Sequence, residues 1–279
     1  MTVQPTIVVG VGWVVAVALV AAAVALWTRR RPAGWGRELE WRFVRAIETC
    51  TATLGRPLTA AVVIAAGAAG TVAVCWPLGK LAGWSAAAVD RPVYAFFDHH
   101  QVGWWDSINN TVTHMGNGTQ TEVVAGAAAI VFAVLWRRGR WWAPLVVLVA
   151  AMVVERFAGQ LLAVVVDRGH PPTTLGTWPS GGCARLVLVA GLVIFLYRRW
   201  RGLGAGNDAA WWWVALAVLG AIEAYTRVVL LKHWLTDTLG GLVFGTLLLL
   251  VMIAAFTVLD WRRGGSAGRL ESPAPRAVV

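Results

Sequence analysis

His233 and Asp237 are a histidine and an aspartate with the types and spacing for covalent catalysis. Residues four apart share one face of a helix, so the carboxylate can accept a hydrogen bond from one imidazole nitrogen. The other nitrogen is then left as a nucleophile or a base. Arg227, six residues before the histidine, adds a fork of donors that suits a phosphate. The three side chains predict chemistry on a phosphate group, although a histidine and an aspartate at this spacing also occur as a structural contact.

A second phosphate-binding element is predicted at residues 179–182, where the sequence Pro-Ser-Gly-Gly begins an apolar segment. The start of a helix offers free backbone N–H groups, and Ser180 adds a hydroxyl. Gly181 and Gly182 have no side chain that would obstruct an anion. The same residues also fit an ordinary helix cap, so both interpretations stay open here.

Further charged residues flank these two elements. Arg168 and Arg185 either supply positive charge to the phosphate or bind lipid head groups at the membrane interface. His170 is either a proton donor or an ordinary loop residue. Glu223 lies four residues before Arg227, and we expect it to form an intramembrane pair that holds the arginine in position.

The composition indicates that these residues are carried by membrane helices. Hydrophobic residues make up 58% of the 279-residue chain and charged residues only 14%, against about 25% charged in soluble domains. This excludes an ordinary soluble globule. The sequence predicts an all-α, polytopic helical bundle with seven apolar segments of roughly spanning length. They are 7–27, 58–78, 119–136, 141–166, 183–197, 209–231 and 235–259.

The basic residues give an orientation. Of 24 lysines and arginines, 17 fall in the connections after the first, third and fifth segments and after the seventh. Positive residues stay in the cytoplasm, so we predict a multi-pass protein of the cell membrane with its N-terminus outside and its C-terminus inside. The predicted phosphate site then faces outward. The net charge of +10 forms no continuous basic stripe, and we therefore expect no nucleic-acid partner.

Three units are predicted. Residues 1–57 hold the first membrane helix and an amphipathic helix on the cytoplasmic surface, 58–259 form a six-span core, and 260–279 are a disordered tail. Several polar residues fall in the outer connection between the second and third segments. Their irregular spacing favours a solvated loop or a lip around a head group over a metal site. They are Asp98, His99, His100, Asp106 and His114.

Two strings of residues carry a resemblance to a known family. Thr226 and Arg227, then five residues, His233, three residues and Asp237 closely resemble (S/T)RxxxxxHxxxD, the third signature of the type 2 phosphatidic acid phosphatase superfamily. Residues 179–182 resemble its second signature, PSGH. Residues 167–171 look like a degraded form of its first signature, KxxxxxxRP. The resemblance covers about 200 residues, from the second segment to the seventh.

The resemblance implies a six-helix core with one added N-terminal helix, an outward active site, no metal and no cofactor. It also implies hydrolysis of lipid phosphates through a phosphohistidine. Carried over by position, His233 attacks phosphorus and Asp237 orients it. Arg227, Ser180 and the N–H of Gly181 hold the phosphate oxygens.

Three positions depart from the family pattern. Gly182 stands where the family has the histidine that protonates the leaving group, His170 stands in place of an arginine, and Ala163 replaces a lysine. A missing general acid typically costs about 10²- to 10⁴-fold in rate. His170 is the candidate replacement acid, and Arg168 and Arg185 are candidates to restore the lost positive charge.

The sequence therefore predicts a membrane lipid phosphatase whose partners are a lipid phosphate and membrane lipids. Polyprenyl phosphates or phosphosugars of bacterial cell-wall synthesis are candidate substrates. Two alternatives stay open. One is transfer of the phosphoryl group to a sugar or polyol acceptor, and the other is a catalytically impaired protein that binds or moves a lipid phosphate. The sequence specifies neither the head group nor the oligomeric state.

Overall fold

A computed structural model of the chain describes residues 4–30, 37–173, 176–203 and 207–260. These residues form ten α-helices and one 3-10 turn, with no strand among them. The helices are α1 (Pro5–Arg30), α2 (Arg37–Leu54), α3 (Arg56–Ser85), α4 (Asp90–His99), α5 (Gly103–Val112), α6 (Gly118–Leu135), α7 (Trp142–Val166), α8 (Gly181–Trp200), α9 (Asn207–Val229) and α10 (Leu235–Asp260). The 3-10 turn covers Thr113–Gly116, between α5 and α6.

Seven of these helices are long and apolar enough to cross a membrane: α1, α3, α6, α7, α8, α9 and α10. The predicted all-α, multi-pass architecture is thereby confirmed. The amphipathic segment after the first span forms α2, and its position on the cytoplasmic leaflet stays a prediction. The tail that was predicted to be disordered lies outside the described residues, which end at residue 260.

Two boundaries differ from the prediction. Helix α3 continues to Ser85, past the predicted end at residue 78, although it contains Pro77. Proline is tolerated inside membrane helices, and Lys80 Nζ donates to Val166 O at 2.8 Å, which satisfies the ammonium within the bundle. The outer connection predicted as a loop instead forms α4, α5 and the 3-10 turn.

Glycines bring α8 and α10 into close contact. A Cβ on Gly245 would lie 2.5 Å from Ala184 O, and a Cβ on Gly241 would collide with Ser180 O. Backbones can approach this closely only where side chains are small. The first residues of α8 are consequently held against the first turns of α10.

Helix α1 packs along α9 through specific hydrogen bonds as well as apolar contacts. Tyr225 Oη donates to Thr6 O at 2.6 Å, and Trp13 Nε1 donates to Ala221 O at 3.0 Å. Trp105 Nε1, from α5, donates to the same tyrosine oxygen at 3.0 Å. The first helix is therefore fixed to the helix that carries Arg227.

Four helix termini meet at one end of the bundle. The C-terminal ends of α7 and α9 lie beside the N-terminal ends of α8 and α10. Ser180 N donates to Asp237 O at 2.9 Å, and Thr173 Oγ1 donates to Leu231 O. This arrangement gathers the three polar stretches that the sequence singled out.

Candidate active site

Asp237 lies in the first turn of α10 and faces His233, which precedes that helix by two residues, so the two residues do not share a helix face as predicted. His233 Nδ1 lies 3.6 Å from Asp237 Oδ2, and the carboxylate is fully buried while the histidine side chain is 10% exposed. The Trp234 N–H donates to the same carboxylate oxygen at 3.2 Å. A separation of 3.6 Å is longer than a hydrogen bond, and His233 Nδ1 has no other partner. Catalytic hydrogen bonds are often long before substrate binds, so this geometry fits an imidazole poised beside its carboxylate.

The connection before α8 encloses the histidine. A Cβ on Gly176 would lie 2.9 Å from His233 Nδ1 and 2.6 Å from Lys232 O. Only a glycine leaves room for the ring at this point. The imidazole is thus confined between this connection and α10, and its remaining freedom is small.

Arg168 belongs to a buried network behind the aspartate. Its guanidinium forms an ion pair with Asp90 and lies 3.4 Å from Asp237 Oδ1. Its Nη1 donates to Thr236 Oγ1 at 2.6 Å, and Thr236 in turn donates to Asp90 from its N–H at 2.9 Å and its hydroxyl at 2.7 Å. The Trp178 ring covers the guanidinium at 5.8 Å. With only 4% of its side chain exposed, Arg168 holds Asp237 from behind.

Arg227 is engaged by protein groups on three sides. Its Nε donates to Glu223 Oε1 at 2.7 Å, and its Nη2 donates to Asn117 Oδ1 at 2.8 Å and Thr113 O at 3.0 Å. The pair expected between Glu223 and Arg227 is present. Thr226, beside it, donates within the helix to Glu223 O at 2.8 Å.

Gly182 makes room for this arginine. A Cβ at residue 182 would lie 2.5 Å from Arg227 Nη2 and 2.7 Å from its Cζ. The guanidinium therefore fills the space into which a side chain at the signature histidine position would extend. The absence of that histidine and the position of Arg227 are two aspects of one packing arrangement.

The first turn of α8 carries the other predicted anion ligands. Ser180 is fully buried, and its hydroxyl has no hydrogen-bond partner. A Cβ on Gly181 would lie 2.9 Å from Arg185 Nη1, so the arginine lies over this turn. Arg185 also contacts Glu155 Oε1 at 3.3 Å. The serine and Arg185 are therefore close enough to this helix end to serve one bound group.

His170 is exposed in the connection after α7, where its Nδ1 lies 2.7 Å from Pro171 O. Among the described residues, none of its hydrogen bonds reaches His233 or α8. Within the same residues, the polar side chains of the outer connection do not gather into a group of three metal ligands. Lys232, next to the nucleophile candidate, donates to Asn110 Oδ1 at 2.9 Å. Its pKa is lowered from 10.5 by partial burial and by the charge of Arg227.

Sequence reasoning missed three residues that organise this end of the bundle: Asp90, Thr236 and Asn117. The partners of Asp90 and Asn117 are distant in the chain, and no periodicity or motif connects them. Thr236 lies inside the third signature string, at a position the signature leaves unspecified. For Asp90, the one signal in the sequence was that a single carboxylate stands between two spans, at the start of a short helix.

Among solved structures, the chain resembles the crystal structure of the first transmembrane PAP2-type phosphatidylglycerolphosphate phosphatase, from Bacillus subtilis. The TM-score is 0.58, and the match covers 70% of this chain and 98% of that one. The chain shares the PAP2-type fold. Because the two sequences are only 17% identical, this similarity concerns the fold. It confirms, for the fold, the resemblance to the PAP2 superfamily that the motifs indicated. No family model matches the chain, and no curated protein matches it.

Proposed function

We propose that the protein is a membrane phosphatase that removes a phosphate from a lipid, with His233 as the nucleophile. The observation that carries the proposal is the fully buried Asp237 set 3.6 Å from His233 Nδ1. Its main chain is bonded to Ser180 at the start of α8. A nucleophile, its orienting group and a helix N-terminus are therefore held as one unit, which is the arrangement that phosphoryl transfer through histidine requires.

In this mechanism His233 Nε2 forms a bond to phosphorus while the bond from phosphorus to the leaving oxygen breaks. Asp237 accepts a hydrogen bond from Nδ1 and stabilises the charged ring. The leaving oxygen takes a proton and departs as the lipid alcohol. Water then attacks phosphorus, the bond to nitrogen breaks, and inorganic phosphate leaves. Ser180, the N–H of Gly181, Arg227 and Arg185 stabilise the equatorial oxygens, where negative charge gathers.

The leaving group receives no proton from residue 182, because glycine stands there. We propose that His170 supplies it, since the connection that carries this histidine also encloses His233 through Gly176. An exposed acid is less well fixed than a buried one. The enzyme should therefore favour good leaving groups, such as lipid diphosphates, over simple monoesters.

The site is proposed to face the outside of the cell and to work without a metal. The outward direction is supported by the distribution of basic residues, most of which follow the opposite ends of the spans. Nucleophilic attack by histidine, assisted by arginines and helix amides, needs no metal to polarise the phosphate. Phosphoryl transfer to a sugar or polyol in place of water would use the same intermediate.

A second candidate function is binding or movement of a lipid phosphate without cleavage. It is favoured by one observation: each of the three candidate phosphate-binding arginines has a carboxylate partner. Arg227 pairs with Glu223 at 2.7 Å, and Arg185 pairs with Glu155 at 3.3 Å. Arg168 pairs with Asp90. Their positive charge is largely compensated, which leaves less of it to stabilise the charge that gathers on the phosphate oxygens in the transition state and so disfavours cleavage.

The deciding experiment measures phosphate release by the purified full chain in detergent. The panel contains phosphatidic acid, phosphatidylglycerolphosphate, a polyprenyl phosphate and a polyprenyl diphosphate, each compared between wild type and His233→Ala. We expect release from at least one lipid and its loss in the variant, with full release in the control His99→Ala, whose ring is exposed and bonded to Ala95 O. If wild type releases no more phosphate than His233→Ala from every lipid, the phosphatase proposal is wrong, and binding without cleavage is the function that remains.

The covalent step and the acid are tested separately. A phosphate label on wild type that is labile in acid, stable in base and absent from His233→Ala identifies the phosphohistidine. His170→Ala should slow a monoester far more than a diphosphate. Equal slowing of both substrates would remove His170 from the role of acid.

A further inference from the structure

A polar cavity of about 330 Å³ opens between α6, α7 and the start of α8. Ionisable and amide groups inside a membrane bundle are costly and mark functional sites. This cavity plays no part in the mechanism above, although one of its arginines does. The polar residues that line it are Glu122, Glu155, Arg156, Gln160, Thr177 and Arg185.

The cavity adjoins the candidate active site through the connection before α8. Thr177 and Pro179 form part of its wall. The neighbouring Gly176, in the same connection, lies against His233. Arg185 spans both regions, since it lines the cavity and lies against Gly181. A group held in this cavity would therefore sit beside a phosphate bound at the first turn of α8.

The donors and acceptors of the cavity are balanced. Two carboxyl groups face two guanidinium groups, and the Arg185 to Glu155 contact at 3.3 Å joins one of each. Arg185 Nε also approaches Gly116 O at 3.4 Å. A second anion would meet no excess of positive charge here. A hydrocarbon chain would leave these polar groups without partners, at a cost for each.

A neutral group that carries several hydroxyls satisfies both kinds of partner, because each hydroxyl donates once and accepts twice. The cavity volume lies at the lower end of the range of small-molecule sites, about 300 to 1,000 Å³. It matches a small head group better than a whole lipid. Gln160 adds an amide that can donate to one hydroxyl and accept from another.

We propose that this cavity binds a neutral, hydroxyl-rich group, such as glycerol or a sugar, next to the reacting phosphate. The inference rests on the proposed phosphatase function and names its substrate class. The hydroxyl-rich group is either the head group to which the scissile phosphate is attached or the acceptor alcohol of a transfer reaction. Both have the same chemistry, and the experiment separates them.

The test compares two donors with the same acyl chains: a galactosyl diacylglycerol 6-phosphate, whose phosphate is attached to a neutral sugar with three free hydroxyls, and phosphatidic acid. If the cavity holds the head group, wild type prefers the sugar-bearing donor in kcat/KM, and Gln160→Leu lowers that preference about tenfold, the effect of losing roughly one good hydrogen bond. If it holds an acceptor, phosphatidic acid and radiolabelled free glycerol give labelled glycerol phosphate, and Gln160→Leu lowers that yield. Gln120→Leu, the same change at an exposed residue of α6 outside the cavity wall, should alter neither result.

The cavity assignment is wrong if wild type and Gln160→Leu both release phosphate from the two donors with equal kcat/KM and neither forms glycerol phosphate. The phosphatase proposal would be unaffected by that result. If no lipid is hydrolysed, the cavity assignment is tested by measuring ligand binding. Phosphonate analogues of the two donors are titrated into the full chain in nanodiscs. Tighter binding of the sugar-bearing analogue that is lost in Gln160→Leu and retained in Gln120→Leu supports the cavity assignment. Equal binding of both analogues by wild type overturns it.

Discussion

The two halves of the candidate site are built differently. On the nucleophile half, His233 faces a carboxylate that Arg168 and Trp234 hold in place. On the anion half, Arg227 lies over Gly182 and its charge is met by Glu223. In the proposed mechanism the first half is preorganised for attack on phosphorus, whereas the second half has its positive charge compensated by a carboxylate before a ligand binds. The residues of one sequence signature are therefore divided between two halves of the site, and only one of these halves is held ready for a substrate.

The largest effect is expected from removing the charge of the nucleophile half. Asp237→Asn keeps the shape of the side chain and its contact with the Trp234 N–H, but it removes the carboxylate that stabilises the charged ring. We expect kcat to fall on the order of 10⁴-fold, comparable to the loss of an orienting carboxylate in other enzymes with an activated nucleophile. Single-turnover phosphate labelling of His233 measures the step directly. Asp98→Asn, at an exposed position of α4, is the matched control, and a similar loss in both variants would contradict the role of Asp237.

A smaller effect is expected from crowding the anion half. Gly182→Ala places a methyl group about where the guanidinium now lies, so Arg227 must give up contacts to Glu223, Asn117 or Thr113. Loss of one well-placed donor predicts about 10²-fold lower activity, and overpacking costs roughly 1–3 kcal/mol of stability. Phosphate release and thermal unfolding in detergent measure the two effects.

Gly126→Ala is the control for that change, because a Cβ at residue 126 of α6 meets nothing within 4 Å. We expect it to retain wild-type activity and stability. If Gly182→Ala retains wild-type activity, Arg227 can move without loss of function, and its position over the glycine does not contribute to activity.

Removing the compensating charge should make the two halves more alike. Glu223→Gln retains a polar side chain beside Arg227 but leaves the guanidinium without its counter-charge. We expect inorganic phosphate to inhibit about tenfold more strongly, in line with one strengthened charge-assisted hydrogen bond, while the protein becomes less stable. The inhibition constant measures this, with Glu48→Gln on α2 as the control. An unchanged constant would indicate that Glu223 does not limit anion binding.

The smallest effect concerns Lys232, between the two halves. Burial and Arg227 lower its pKa from 10.5, so the folded protein binds this proton less tightly than the unfolded chain. The contribution of Lys232 to the free energy of unfolding is most favourable above pH 10.5, and it is lost as the pH falls through the lowered pKa. Lys232→Met should therefore raise the unfolding temperature at neutral pH, and the gain should shrink as the pH rises toward 10.5. A gain that is constant across this range would exclude the charge as its cause.

The spans were predictable because each is a long apolar run with charges at its ends. The same pattern failed where a polar group finds its partner inside the bundle. The predicted second span ends at residue 78, yet α3 continues through Lys80 to Ser85, and Val166 O accepts a hydrogen bond from the Lys80 ammonium. Composition reports the average environment of a segment and carries no information on such single contacts.

The site was predictable only in part for a related reason. A spacing of four residues connects Glu223 with Arg227 on α9, and it also pairs His233 with Asp237, although His233 precedes the first residue of α10. It carries no signal for Arg168 with Asp90, which are 78 residues apart, or for Arg227 with Asn117, which are 110 apart. The resemblance located Gly182 as a departure, but the tight contact with Arg227 follows from packing that a sequence pattern does not contain.

The hydrogen bonds that attach α1 to α9 have a consequence for biosynthesis. They join residues 208 and 219 positions apart in the chain, so the first helix made must remain in the bilayer until nearly the whole protein has been synthesised. Until then, Trp13 Nε1 has no partner from α9. Helix α1 is therefore made well before the helix to which it binds. Truncation before α9 would leave it without its docking surface.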